Sequence, residues 1–177
     1  TLDRSSAASD VYKRQDLMFG LQKDDGYSLV RYKTFSQSLR KALETYVRGN
    51  GRVLVSGAYV ASDMQLDAER SFLSNVFKVG LGGQNKNIST NLVNGLGINF
   101  DIIRRPNDRH YAAQSVDIIN PLAPAFCAMR YADGTDAAVA YDGADHKAFI
   151  MGFPMECINN VRSRQQVMKA VMTFLAK

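Results

Sequence analysis

An α/β fold, a mostly parallel sheet with helices on both faces, is what this 177-residue chain predicts. Three observations carry the prediction. Val53, Leu54 and Val55 form a short apolar run with turn residues on both sides, as a strand buried on both faces of a parallel sheet does. An amphipathic helix precedes that run and another follows it, so helix, tight turn and strand succeed one another as in the back half of a βαβ crossover. Near the C-terminus the polar loop Asp142–His146 separates two apolar segments, which adds a β-rich antiparallel portion.

Taken in order, Asp16–Gly20 reads as the tail of a strand and Gln22–Ser28 as a loop. Thr34 or Ser36 can cap a helix whose inner face is Phe35, Leu39, Ala42, Leu43, Tyr46 and Val47, with Arg40 and Lys41 on the wet side. Gly49-Asn50-Gly51 ends it, since glycine accepts the left-handed backbone of a helix C-cap. After the strand, Ser62 and Gln65 fit a capping box for a helix over Met64–Lys78, with Ala68, Phe72, Leu73, Val76 and Phe77 inward. Gly80–Gly97 is rich in Gly and Asn and reads as mostly loop; it lacks the spacing of a phosphate-binding loop. Ile98–Ile103, Val116–Ile119, Phe126–Tyr131, Ala137–Tyr141 and Lys147–Phe153 read as strands, and Val161–Lys177 as a closing helix with Val167, Met168, Val171, Phe174 and Leu175 on one face.

The totals bound the class. A hydrophobic share of 46% and a charged share of 22% are those of an ordinary globular protein. No apolar run is long enough for a membrane helix. The net charge is +5, but the basic residues are scattered and not interleaved with aromatics, which argues against nucleic acid. Cys127 and Cys157 both sit in apolar surroundings and read as small buried hydrophobes; spacing does not decide a disulfide. Residues 5–15, Ser-Ser-Ala-Ala-Ser-Asp-Val-Tyr-Lys-Arg-Gln, resemble what a sequencing adapter encodes when translated. The expectation is therefore a leader over 1–15 and a single α/β domain over 16–177, a fragment of a larger protein.

Gly51–Asp63 (Gly-Arg-Val-Leu-Val-Ser-Gly-Ala-Tyr-Val-Ala-Ser-Asp), taken with Ala148–Glu156 (Ala-Phe-Ile-Met-Gly-Phe-Pro-Met-Glu), resembles one kind of domain. It is similar to the C-terminal, class I glutamine-amidotransferase-like (flavodoxin-like) domain of secreted bacterial proteins described as xanthan lyases, with relatives labelled golvesin-like, fibronectin type III or N-acetylmuramoyl-L-alanine amidase. The likeness runs from Asp16 to Lys177. It implies a first strand and helix upstream of Asp16, a secreted or cell-surface location, and polysaccharide, peptidoglycan or upstream domains as partners. It supplies no catalytic residue set.

Working amidotransferases carry a cysteine on a strand-to-helix elbow and a His and Glu after a late strand. Here the elbow reads Ser56-Gly57-Ala58-Tyr59-Val60 and the late segment Gly152-Phe153-Pro154-Met155-Glu156, without that cysteine and that histidine. Ser56 reads as a turn hydroxyl. His110 and His146 lie in separate polar loops, near Asp108 and Asp145, and read as solvated. No catalytic group, metal or cofactor is expected. In open α/β sheets ligands sit where strands end, so the binding candidates are Ser56, Gly57, Tyr59, Ser62, Asp63 and Glu156, with Tyr59 able to stack on a ring. The leading expectation is a non-catalytic accessory or binding domain of a glycan- or cell-wall-directed protein. The alternative is a polysaccharide lyase or amidase with its site at the C-terminal edge of the sheet. A third reading uses the basic stretch Arg104–Arg109 to hold acidic glycans.

Overall fold

The computed structural model describes residues 33–87, 89–105 and 112–177. The strand tail near Asp16, the loop over 22–28, His110 and most of the basic stretch lie outside them. Among these described residues eight strands follow in order: β1 Arg52–Ser56, β2 Val79–Asn85, β3 Leu92–Gly95, β4 Ile98–Asp101, β5 Val116–Pro121, β6 Phe126–Tyr131, β7 Asp136–Asp142 and β8 Lys147–Met151. Among the described residues the α-helices are α1 Gln37–Arg48, α2 Asp67–Phe72 (running into a π-turn, Leu73–Phe77) and α3 Val161–Ala176. No described helix is long and apolar enough to cross a membrane.

Six strands form one sheet in the order β1-β8-β7-β6-β3-β4; β2 and β5 form a separate antiparallel pair. Among the described strands only β1 and β8 run parallel, and the other pairings are antiparallel. The sheet is therefore mixed and mostly antiparallel, which corrects the expectation of a mostly parallel one. The physical reason lies in the connections. Asp133-Gly134 joins β6 to β7 and Gly143–His146 joins β7 to β8, links too short for any crossover, so these neighbours must be antiparallel. A parallel neighbour needs a long return path, such as the one between β1 and β8. The strands β3 and β6 are also far apart in sequence, but β4 and β5 lie between them and return the chain antiparallel.

Among the described strands β1 stands at one margin of this sheet. Val53 and Val55 are buried at 8% and 6% exposure, while Leu54 is only half-buried. Val53 and Val55 join Ala148, Ile150 and Val139 in one core, under Phe35, Val47, Phe72 and Phe77 from the α1 and α2 region. The opposite face, with Phe149, Met151 and Ala138, is covered by Val167, Val171 and Leu175 of α3. Helices thus cover both faces, as expected. Phe35, Phe72 and Phe77 meet with ring centroids 5.1 to 5.8 Å apart and fasten α1 to the π-turn.

Several local readings change. Ser36, not Thr34, caps α1, its hydroxyl accepting the Leu39 N–H at 3.3 Å. Ala42 and Tyr46 of α1 are exposed, and Arg40 turns inward to Glu69 at 3.2 Å. The left-handed residue after α1 is Asn50 (φ 59°) and not a glycine, an exchange that asparagine tolerates. The second helix starts at Asp67, so the Ser62–Gln65 box does not form; the Glu69 carboxylate instead accepts the N–H groups of Gln65 (2.9 Å) and Leu66 (3.1 Å), and Ala68 is exposed. The stretch read as mostly loop holds β2 and β3. Its glycines hid β2, where Gly83 at φ 128° forms part of a bulge opposite β5. Met168 lies at 37% exposure on the rim of α3.

Candidate functional site

The chain leaves β1 at Ser56, where Gly57 N–H still bonds the Met151 carbonyl at 3.2 Å, and then winds through a buried turn. Ala58, Val60 and Ala61 lie at 1% exposure or less. Beneath this turn sits Asp117 of β5, with no exposure at all. Its Oδ2 accepts the N–H groups of Ala61 at 2.7 Å and Ser62 at 2.9 Å. Its Oδ1 has no hydrogen-bond partner. Its backbone is held as tightly. The Asp117 N–H bonds the Gly152 carbonyl at 2.8 Å, and the Tyr131 hydroxyl donates to the Asp117 carbonyl at 2.9 Å. Any side chain at Gly152 would strike that same carbonyl. Burial pushes the Asp117 carboxyl up to about 6, against the opposing pull of the Ser62 and Ala61 N–H donors. Such a carboxyl has the pKa of a general acid or base, but full burial keeps it from touching a substrate. It is the keystone that binds the bend after β1 to the β2–β5 pair.

The six candidate residues are distributed around this keystone. Ser56 is buried at 8% exposure, and its Oγ accepts the Met155 N–H at 3.4 Å. That contact brings Ser56 beside the short 3-10 turn Met155–Cys157, which carries the exposed Glu156. Gly57 is buried. Tyr59 is half-buried and packs against the core on the α3 side. The Ser62 hydroxyl meets the Gln84 amide of β2 at 3.1 Å. Asp63 turns toward the start of α1, where its carboxylate accepts the Thr34 N–H at 2.7 Å and lies 3.7 Å from the Lys33 ammonium. The structure therefore joins Ser56 to the Glu156 turn and Ser62 to Asp117, and it leads Asp63 to another set of partners.

Other titratable groups take structural posts. His146 is not a solvated loop residue: it is buried, with Nε2 2.7 Å from the Val76 carbonyl and Nδ1 3.0 Å from the Asp145 carboxylate. Burial would raise the Asp145 carboxyl, but the Tyr141 hydroxyl at 2.8 Å and His146 outweigh it and hold it near 2. Arg104 is at 2% exposure and spends its guanidinium on the carbonyls of Asn85 (2.7 Å), Gln114 (3.0 Å) and Thr90 (3.3 Å). It is therefore withdrawn from any glycan, which corrects the reading of a basic surface stretch at its first residue. Cys127 is half-buried and Cys157 buried, and burial pushes their thiols up to about 11 and about 12. Among the described residues no three His, Cys, Asp or Glu side chains gather as a metal site would require.

No protein-family model matches the chain, and no curated protein sequence does. Solved structures do. The likeness is one of fold. The exo-β-1,4-mannosidase Op5Man5 from Opitutaceae bacterium strain TAV5 superposes with a TM-score of 0.52 at 10% identity, over 79% of this chain and 23% of that one. Gan42B, a GH42 β-galactosidase from G. stearothermophilus, gives 0.58 at 14% identity, over 80% of this chain and 20% of that one. A β-galactosidase from Rahnella sp. R3 gives 0.53 at 15% identity, over 79% and 21%. The chain thus spans about a fifth of the length of these enzymes and is similar to one domain of each. The polar side chain that anchors the bend, Asp117, escaped the sequence reading. A lone acid inside the apolar run Val116–Ile119 was the available signal, since a strand residue that faces a core must find buried donors.

Proposed function

We propose that this chain is an accessory α/β domain of a larger glycan-directed protein, one that binds or docks and leaves chemistry to another module. The observation that carries the reading is how the polar groups around the bend after β1 are engaged. The Ser56 hydroxyl receives a backbone N–H, and the Asp117 carboxylate receives two. Groups tied to the main chain in this way hold a loop and are poorly placed to attack a bond. The fold likeness to a domain of an exo-mannosidase and of β-galactosidases supports the glycan context. The resemblance to the terminal domain of xanthan-lyase-like proteins adds a secreted or cell-surface setting and upstream domains of the same protein as neighbours. Ser56, Gly57, Tyr59, Ser62, Asp63 and Glu156 remain the proposed contacts at the bend.

The test is to incubate the chain with β-mannan and galactan fragments, oligouronates and peptidoglycan fragments, following binding by calorimetry and products by mass spectrometry. Binding without new products is expected. Release of a shortened or unsaturated sugar, or of a peptide, overturns the reading.

A further inference from the structure

Along the end of the sheet where β1 and β8 begin, on the face that α3 covers, four neighbouring strands present a row of unlike side chains. Phe126 opens β6 and is 49% exposed, a large apolar ring left in solvent. Its ring meets Phe174 of α3 edge to face, with centroids 6.2 Å apart, and Phe174 in turn meets the buried Phe149 at 6.0 Å. The Lys147 ammonium lies 5.5 Å from the Phe174 ring centre and 2.6 Å from the Asp142 carboxylate. Arg52 is the direct partner of Lys147 across β1 and β8, is exposed, and shares the face of Leu54, which packs on the α3 side. Strands stand about 4.8 Å apart, so the row from Phe126 through Asp142 and Lys147 to Arg52 spans about 14 Å.

We propose that this row is a subsite for an acidic oligosaccharide, with a pyranose ring stacked on Phe126 and a uronate carboxylate held by Arg52. The proposal deepens the accessory reading and rests on it. A sugar ring offers an apolar C–H face to the negative face of an aromatic ring, and its hydroxyls need donors and acceptors at the edge. Phe126 supplies the first; the Lys147–Asp142 pair supplies both kinds of the second. Two cations against one carboxylate leave the row net positive, which selects a negatively charged sugar over a neutral one. Phe126 is also pre-set, because its T-shaped contact with Phe174 holds the ring and little freedom is lost on binding.

The experiment titrates the full chain with trigalacturonate and, separately, with a neutral mannotriose, at low and moderate salt, by NMR and calorimetry. Trigalacturonate is expected to perturb resonances of Phe126, Phe174 and Arg52, to bind more tightly than mannotriose, and to weaken as salt rises. Phe126→Ala is expected to weaken it about fivefold or more, Phe126→Tyr to preserve it, and Arg52→Gln to remove the preference for the acidic sugar, with melting temperatures close to the parent's. Binding that is indifferent to Phe126→Ala and Arg52→Gln overturns the subsite while leaving the accessory reading standing. Equal binding of both sugars, or of neither, overturns the acidic-glycan assignment. Cleavage of either sugar refutes the accessory reading instead.

Discussion

Asp117 makes the fold sensitive to pH in an unusual direction. Its carboxyl is pushed from an ordinary 3.8 to about 6 because burial penalises the charge more than the Ser62 and Ala61 N–H donors repay it. The folded chain therefore holds this proton more tightly than the unfolded chain does. A raised carboxyl contributes stability that is complete below about pH 4 and is lost as pH rises through about 6. The shift is about two units, and each unit is worth about 1.4 kcal/mol, so the change across that window is about 3 kcal/mol. Asp117→Asn keeps an oxygen for the Ala61 and Ser62 N–H groups and carries no charge. Urea unfolding of the parent and of Asp117→Asn at half-unit steps from pH 4 to pH 8 isolates the effect, because other carboxylates cancel in the comparison. Relative to the variant, the parent is expected to lose about 3 kcal/mol between pH 4 and pH 7. A difference that stays constant over that range, or grows in the parent's favour as pH rises, refutes the reasoning.

The remaining predictions concern the joints around that keystone. Gly152→Ala drives a methyl group into the Asp117 carbonyl, so it should cost about 2 kcal/mol or more, read as a lower urea midpoint at unchanged slope. Glu69 is buried; burial acts to raise its pKa, but the Leu66 and Gln65 N–H groups and Lys33 overcome this and hold it below 4.5. Its contribution is thus present above pH 4.5 and lost as the medium becomes more acid, and Glu69→Ala should cost about 3 kcal/mol at pH 7 by urea unfolding monitored with circular dichroism. His146→Ala removes the group facing the Val76 carbonyl and opens a gap beneath Tyr141. It should cost about 2 kcal/mol and raise amide exchange in the π-turn and the β7–β8 loop ahead of the rest of the molecule.

The extent of what was legible differs between the fold and the site. The apolar spacing of Phe126–Tyr131 and Val161–Ala176 showed these elements at or near their true bounds, because each has a wet side and a core side. Lys147–Met151 showed as a short continuous apolar run, because both of its faces are buried. The glycine-rich β2 was not legible, since its residues carry little side chain to set a period, and its pairing with β5 is decided by a partner more than thirty residues away. At the bend, Ser56, Ser62 and Glu156 could be named from their place after a strand. Arg104 and His146 were named but read as exposed, and Asp117 was passed over, because the buried partners that receive each of them come from distant segments.

Local pattern, then, was enough for most of the strands and helices and for the bend that follows β1, since hydrophobic periodicity is a property of near neighbours, but not for β2 and β3 or for every face of the helices. Strand direction and the burial of Asp117 depended on the assembled chain. Each is settled by hydrogen bonds between segments far apart in sequence: Val55 beside Ile150 in parallel, and the Asp117 carboxylate under the N–H groups of Ala61 and Ser62. A charged side chain enters a core only when such distant donors are already there to receive it.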